Sequence, residues 1–290
     1  MFDILVSILF TGTAYAMVLY IISVGLSITM GLLGIANLAH GAFAMAGGYI
    51  TVVLMNRYGI SFYWCLPASF LVTAILGLVL ERTLYQWLYK ADHLDQVLFS
   101  IGIVFMSVAG ADYFMGGQQQ LINLPPELSG RMDVLGVGIG RYRLFTIVVC
   151  SLLAIALQLI LSKTRFGSRL RAAVDDRRVA MGLGINVPLV FALTFAFGSG
   201  LAGLGGAMGA EILGLDPNFP LKFMIYFLIV VSVGGTSTVS GPFLAAMLLG
   251  IADVAGKYYV PAIGPFVIYA LMIVMLILRP NGLFSRGIGR

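Results

Sequence analysis

Charged residues are scarce in this 290-residue chain, which has 17 Lys and Arg, 12 Asp and Glu, and 10% charge overall. A soluble surface needs roughly a quarter of its residues charged, so the composition excludes an ordinary soluble protein. Apolar residues make up 60% of the chain, and each membrane-spanning helix uses about 20 of them. The sequence therefore predicts an all-α, polytopic membrane helical bundle of eight or nine spans, set in membrane lipid. In such a protein the net charge of +5 reports orientation rather than binding of nucleic acid.

Several chemical signatures are also missing. The two cysteines, Cys65 and Cys150, stand singly in apolar runs, which excludes a paired-cysteine metal site. The chain has no G-x-x-x-x-G-K-[ST] motif, so it is not expected to bind and split ATP itself. It has no H-E-x-x-H or G-x-S-x-G motif either. We therefore expect no metal, no cofactor and no enzymatic activity.

Nine helical spans are predicted in one transmembrane domain, residues 1–290. Segments 81–95 and 116–140 are expected to be loops. Two broken regions stand out, with short helices predicted near 31–50 and 219–257, because a continuous helix over 219–257 would be about twice the thickness of the hydrocarbon core. The predicted spans are 5–29, 36–55, 61–80, 96–115, 141–162, 188–210, 219–236, 241–257 and 262–279.

The distribution of basic residues predicts the orientation. With nine spans and the amino terminus outside the cell membrane, segments 81–95, 163–187 and 279–290 lie in the cytoplasm with eleven of the 17 basic residues. The positive-inside rule favours this arrangement, which makes the carboxyl terminus cytoplasmic.

Segment 163–187 is the most charged part of the chain and predicts an amphipathic helix. Its apolar face would contain Phe166, Leu170, Ala173, Val174 and Met181. One interpretation is an anchor lying on anionic lipid. The acidic pair 175–176 favours the other, which is docking on a protein partner, because anionic lipid repels carboxylates.

Two glycine-rich breaks in the apolar pattern predict a substrate pathway. Paired interruptions in the two halves of a transporter commonly mark the permeation site. For the first break, the alternative is a tight turn with His40 at the surface. The candidate pathway residues are Asn37, His40 and Gly41 in the first break, and Thr236, Ser237 and Ser240 in the second.

Small residues recur at four-residue spacing over 198–210, at Gly198, Ala202, Gly206 and Ala210. This spacing predicts a face that packs closely against another helix. Direct contact with substrate is the alternative.

Four stretches, GIANLAHGAF, TRFGSRLRAAVDDRRVAMGLGINVPLV, VSVGGTSTVSGPFLAA and RPNGLF, occur in this order. Together they resemble the permease subunits of bacterial ABC importers of the branched-chain amino acid type, over essentially the whole chain. Ribose-type sugar permeases are more distantly similar. One departure is Ser168, where many members have Arg or Lys.

The resemblance implies an inner-membrane permease working by alternating access. Its implied partners are a second, similar permease subunit, two cytosolic ATPase subunits that bind the ATP, and a periplasmic substrate-binding protein. The implied substrates are branched-chain or other amino acids, or amides and urea-like compounds. The alternative is a secondary transporter or channel that works without an ATPase. The coupling segment that the resemblance implies includes Arg165, Gly167, Arg169, Arg171, Ala172, Asp175, Asp176, Gly184 and Ile185.

Overall fold

The computed structural model describes residues 2–33, 37–88, 91–134, 137–235, 239–279 and 282–283. It confirms the predicted all-α membrane bundle. The helices are α1 (Phe2–Leu33), α2 (His40–Tyr58), α3 (Phe62–Leu80), α4 (Gln86–Leu88), α5 (His93–Met115), α6 (Arg141–Lys163), α7 (Arg165–Asp175), α8 (Arg177–Gly182), α9 (Val187–Leu213), α10 (Phe219–Gly234), α11 (Ser240–Tyr259) and α12 (Gly264–Leu278).

Each of the nine predicted spans corresponds to one helix within the described ranges. In the described part of the chain, five helical stretches are long and apolar enough to cross a membrane, and α10 and α12 are shorter apolar helices. The predicted break within 219–257 is confirmed, because α10 ends before Gly235, whose positive φ of 83° suits only glycine. The other predicted break separates α1 from α2, and its residues 34–36 lie outside the described residues.

The prediction of a loop over 81–95 is wrong for its first half. A π-helical turn, Glu81–Tyr85, continues α3 directly and leads into α4. Residues 81–88 contain good helix formers and no glycine or proline, so nothing there ends the helix. The polar sequence hid this extension from a search for apolar spans.

The prediction of a loop over 116–140 is also incomplete, because its second half is a β-hairpin. Strands β1 (Arg131–Val134) and β2 (Val137–Gly140) pair antiparallel, with Arg131 opposite Gly140. Val137 and Ile139 are buried on one face of β2. The period of two was present in the sequence, but four-residue strands are short enough to be overlooked among glycines.

Helix α9 lies at the centre of the bundle and packs against α1, α2 and α3. Its small residues allow this, as predicted. A Cβ added to Gly206 would lie 1.8 Å from the carbonyl oxygen of Ala44 in α2, and one added to Gly203 would lie 2.1 Å from Thr73 Oγ1 in α3. The spacing over 198–210 therefore serves close helix packing.

The helices alternate in direction, so their connections lie at two ends of the bundle. The hairpin end contains the connections 59–61, 116–140, 214–218 and 260–263. Among the described residues, the basic end contains 37–39, 91–92, 164–186, Gly235 and Val239. Segment 282–283 also lies at the basic end, because the Leu283 N–H donates to the Val233 carbonyl at 2.8 Å.

Candidate functional site

The segment 163–187 at the basic end, for which the resemblance implies a coupling role, forms two short helices, α7 and α8, rather than the single predicted one. Thr164 caps α7 by accepting a hydrogen bond from the Gly167 N–H. Asp176 caps α8, because its Oδ1 accepts from the N–H groups of Arg178 and Val179 at 2.8 and 3.0 Å. Aspartate is among the strongest N-caps, so Asp176 ends one helix and starts the next.

The apolar face of α7 packs on the protein itself. Leu170 and Ala173 are buried in a cluster with Val190 and Phe191 of α9. Phe166 and Val174 pack partly against this cluster. The face that a lipid anchor would need is thus occupied within the chain, because the segment packs on α9.

The single-helix prediction placed Met181 on that apolar face. The prediction is wrong for this residue, because the helix breaks at Asp176. Its side chain is 47% exposed, next to Val179 at 57% and Leu183 at 75%. We name these three residues the apolar tip. The sequence did not predict the apolar tip, because the prediction assumed one continuous helix and the three residues lie beyond the helix break.

The predicted coupling residues lie in different environments. Gly167 is buried, and a Cβ there would lie 2.1 Å from the Leu161 carbonyl oxygen at the end of α6. Gly184 has a φ of 82°, which explains the glycine. Ala172 and Ile185 are half-buried. Exposed charged side chains complete the segment, namely Arg165, Arg169, Arg171, Asp175 and Asp176.

Asn37, also at the basic end, is fully buried in the turn before α2. Its Oδ1 accepts two hydrogen bonds, from the Tyr85 hydroxyl at 2.9 Å and from the Ala39 N–H at 3.1 Å. Tyr85 was not predicted as a functional residue. It lies in the π-helical turn after α3, and such turns are frequent at functional sites.

An aromatic chain connects Asn37 to the coupling segment. The Tyr85 ring lies 4.7 Å from the ring of Phe195 in α9. One helical turn earlier in α9, the ring of Phe191 packs against Arg177, whose guanidinium lies 5.4 Å from the ring centroid. The segment 163–187 and the turn 37–39 are thus connected through side chains of α9.

His40 is 1% exposed, so the alternative that placed it at the surface is wrong. Its Nε2 lies 2.8 Å from the Ile22 carbonyl oxygen of α1, which fixes that nitrogen as the donor. Gly41 lets α2 approach α10, since a Cβ there would lie 3.1 Å from Pro220 Cα.

The second group of candidate pathway residues is only partly described. Thr236 and Ser237 lie outside the described residues. Ser240 is exposed at the start of α11 and lines a mainly apolar cavity of about 290 Å³ beside Tyr20. Tyr20 and Ile22 are two residues apart on α1, so Ser240 and His40 approach different faces of that helix. The described residues do not bring the two groups together.

The described ranges contain no candidate metal-binding site. No three His, Cys, Asp or Glu side chains come together there as ligands. Both cysteines are free and buried.

Comparison with known proteins gives a consistent result. The model of the family described as "Branched-chain amino acid transport system / permease component" matches residues 8–276. The chain is 28% identical to the high-affinity branched-chain amino acid transport system permease protein BraD of Pseudomonas aeruginosa, over 97% of this chain and 95% of BraD. It is 25% identical to the corresponding protein LivH of Escherichia coli K12, over 96% of this chain and 94% of LivH. It is 26% identical to LivM of the same organism, over 92% of this chain and 68% of LivM. No solved structure matches.

Proposed function

The chain belongs to the family of permease components of branched-chain amino acid transport systems, and from that premise we propose that it forms the membrane passage of an ATP-driven amino acid importer. It is a multi-pass protein of the inner membrane and not an enzyme. The proposed cargo is a branched-chain or other small amino acid, with amides and urea-like compounds as related candidates. The passage works as one transmembrane domain, 1–290, by alternating access.

The coupling segment is the single observation that best supports this proposal. It presents an exposed apolar tip and several exposed arginines, while its other face is fixed on α9. An exposed surface that is packed on the bundle in this way suits a protein partner that delivers a mechanical displacement, and the chain itself has no nucleotide-binding motif. We assign that partner as a cytosolic ATPase, which binds the ATP.

The route from this surface into the bundle follows the contacts already described. A displacement of α8 moves Arg177 against Phe191, and α9 carries that displacement to Phe195 and Tyr85. Because Tyr85 donates a hydrogen bond to Asn37, the conformation of the turn 37–39 changes together with that of the ATPase. This is a two-state mechanism in which a packed interface changes arrangement as a unit.

The proposed assembly contains two copies of the ATPase, a second homologous permease subunit and a periplasmic substrate-binding protein. The similarity to both LivH and LivM, two permease proteins of one organism, supports a pair of related permease subunits. In this assembly the basic end faces the cytoplasm, which makes the amino terminus periplasmic and the carboxyl terminus cytoplasmic. The distribution of Lys and Arg supports this orientation.

We further propose that the solute passes the two glycine-rich breaks. Asn37, His40 and Gly41 contact it at the first break, and Thr236, Ser237 and Ser240 contact it at the second. Because Asn37 and His40 are covered in the conformation described, they meet solute only after the turn 37–39 moves. The passage is therefore gated at the basic end.

Reconstitution tests the function directly. The tagged chain, expressed with its neighbouring subunits and placed in vesicles, should accumulate radiolabelled leucine only when ATP and the binding protein are both supplied. Uptake driven by an ion gradient without ATP would instead identify a secondary transporter and overturn the proposal.

Two substitutions of Asp176 distinguish a role in helix capping from a role in charge-mediated docking. Asp176→Ala removes the cap of α8, at a cost of about 1 kcal/mol, and should lower the amount of ATPase that co-purifies. Asp176→Asn removes the charge but keeps a strong cap, so it should behave like the wild type. Equal loss in both variants would show that the carboxylate itself contacts the partner.

Tyr85 tests the link between the coupling segment and Asn37. Tyr85→Phe keeps the ring against Phe195 and removes the hydroxyl that donates to Asn37. We expect uptake to fall about tenfold, since losing a partner of a buried polar group costs roughly 1–3 kcal/mol. ATPase co-purification should persist, so ATP hydrolysed per leucine transported should rise.

The control for this variant is Tyr113→Phe, which removes the hydroxyl of an exposed tyrosine on α5. It should transport normally. If Tyr85→Phe keeps the wild-type ratio of ATP to leucine, the hydroxyl has no part in coupling.

A further inference from the structure

A cavity of about 460 Å³ opens at the hairpin end of the bundle, between α1 and α11. Its volume lies within the range of small-molecule sites, about 300–1,000 Å³. Asp3, Ser7 and Thr11 line it from α1, and Lys257 and Tyr258 line it from α11. The cavity is remote from the coupling segment and from both glycine-rich breaks.

Lys257 is held in place from below by a buried carboxylate. Its Nζ donates to Asp253 Oδ2 at 2.6 Å, and Asp253 is 1% exposed. The Tyr15 ring supports the same ammonium at 5.7 Å. The Lys257 side chain is half-exposed, and its ammonium has three N–H donors. The ammonium can therefore bind an anionic group in the cavity while it keeps its hydrogen bond to Asp253.

Asp253 itself retains unused hydrogen-bonding capacity. Its second oxygen, Oδ1, is buried and has no partner among the described residues. A buried ionisable group within a membrane helix is costly, and such groups usually mark a functional site. The pair with Lys257 is therefore more than a surface ion pair.

Asp3 supplies the opposite charge at a different depth. Helices α1 and α11 run antiparallel, since Gly12 packs on Ile251 and Gly250 packs on Ala16. Counted from the Gly12–Ile251 contact, Asp3 lies nine residues toward the hairpin end and Lys257 lies six, so Asp3 is about 4–5 Å closer to that end. The cavity has a carboxylate near its mouth and an ammonium deeper inside.

The wall between these charges is apolar. Ile4 and Ile8 of α1 and Val254 of α11 form it. Serine and threonine hydroxyls of α1 add neutral hydrogen-bonding groups beside the wall.

We propose that this cavity binds a zwitterionic amino acid with an apolar side chain, as a subsite at the mouth of the passage. Lys257 binds the carboxylate, Asp3 binds the ammonium, and the apolar side chain packs on the wall between them. The identity of the ligand rests on the proposed function, since the same charges suit any small zwitterion. The subsite would receive the solute at the hairpin end before it enters the bundle.

Photolabelling tests occupancy of the cavity independently of transport. The assembled transporter in vesicles is irradiated with a diazirine analogue of leucine, and labelled peptides are mapped by mass spectrometry. We expect labelling within 3–11 and 254–258, competed by leucine and not by N-acetylleucine, which lacks the ammonium.

Two variants should reduce this labelling for different reasons. Asp3→Asn removes an exposed charge and should weaken labelling about fivefold, the effect of one partly exposed contact. Asp253→Asn combined with Lys257→Met removes both members of the ion pair, so no carboxylate is buried without its counter-ion. This double variant should abolish the labelling.

Lys222→Met is the matched control. Lys222 is also a half-exposed lysine at the hairpin end and pairs with Asp216, but it does not line the cavity. It should be labelled like the wild type.

Failure of the subsite and failure of the transport function give different results. ATP-dependent leucine uptake without labelling of the two segments would overturn the subsite and leave the function standing. Labelling that follows the content of phosphatidylethanolamine rather than leucine would assign the cavity to a lipid headgroup and overturn the proposal. Loss of the second permease subunit in the Asp3→Asn variant would make this surface a subunit contact and would also overturn it.

Discussion

Replacing Gly206 with alanine is expected to prevent recovery of a folded permease. The added Cβ would lie 1.8 Å from the Ala44 carbonyl oxygen and 2.5 Å from its carbon, both of them backbone atoms. No change of side-chain rotamer relieves such an overlap, so α2 and α9 must separate. Overpacking a core costs typically 1–3 kcal/mol and sometimes more, and the two helices also meet where Gly47 faces Gly203.

The measurement is the yield of monodisperse protein in detergent, together with its thermal stability. Gly110→Ala is the matched control, because it makes the same change within α5 and has nothing within 4 Å of the added Cβ. It should be recovered at the wild-type level. A stable but inactive Gly206→Ala protein would contradict packing as the role of this glycine and would favour contact with the solute.

The sequence predicted the helices because lipid imposes a simple requirement. Every span must be apolar and helical, so each hydropathic run marks one helix. Interruptions were equally clear where glycine forces the end of a helix, as at Gly235. Residues 81–88 lay outside this rule, because this part of the helix is polar and follows propensity rather than hydropathy.

The site was predicted less well than the fold. The residues of 163–187 could be located from charge and amphipathicity, but the cap at Asp176 changes which side chains share a face. Met181 was therefore assigned to the wrong face, and Leu183 was not considered. Local capping geometry competes with periodicity, and a single aspartate decides between one helix and two.

The role of Tyr85 and the burial of His40 could not be predicted, because both depend on contacts between residues that are distant in sequence. Asn37 and Tyr85 are 48 residues apart, and His40 bonds a carbonyl 18 residues earlier. A polar residue in an apolar region indicates that a partner is needed, without indicating which one. Only the packing of α1, α2 and α9 identifies those partners.

Leu183→Asp should abolish ATP-dependent uptake while the permease remains inserted and folded. Leu183 is the most exposed residue of the apolar tip, so an aspartate there costs the isolated permease little. At the centre of a docked interface the same aspartate would be buried without a counter-ion, and central contacts contribute 2 kcal/mol or more. We expect uptake to fall at least about a hundredfold, and the ATPase to be lost from the purified complex.

Two controls separate this effect from a general response to a new charge. Leu183→Met keeps an apolar side chain of similar volume and should retain both uptake and the ATPase. Met132→Asp places the same charge on an exposed apolar residue of the hairpin, at the opposite end of the bundle, and should leave the ATPase bound. Retention of the ATPase by Leu183→Asp would show that the partner docks elsewhere on the basic end. In that case the exposed arginines of α7 and α8 would be the next surface to test, because the apolar face of α7 is already buried on α9.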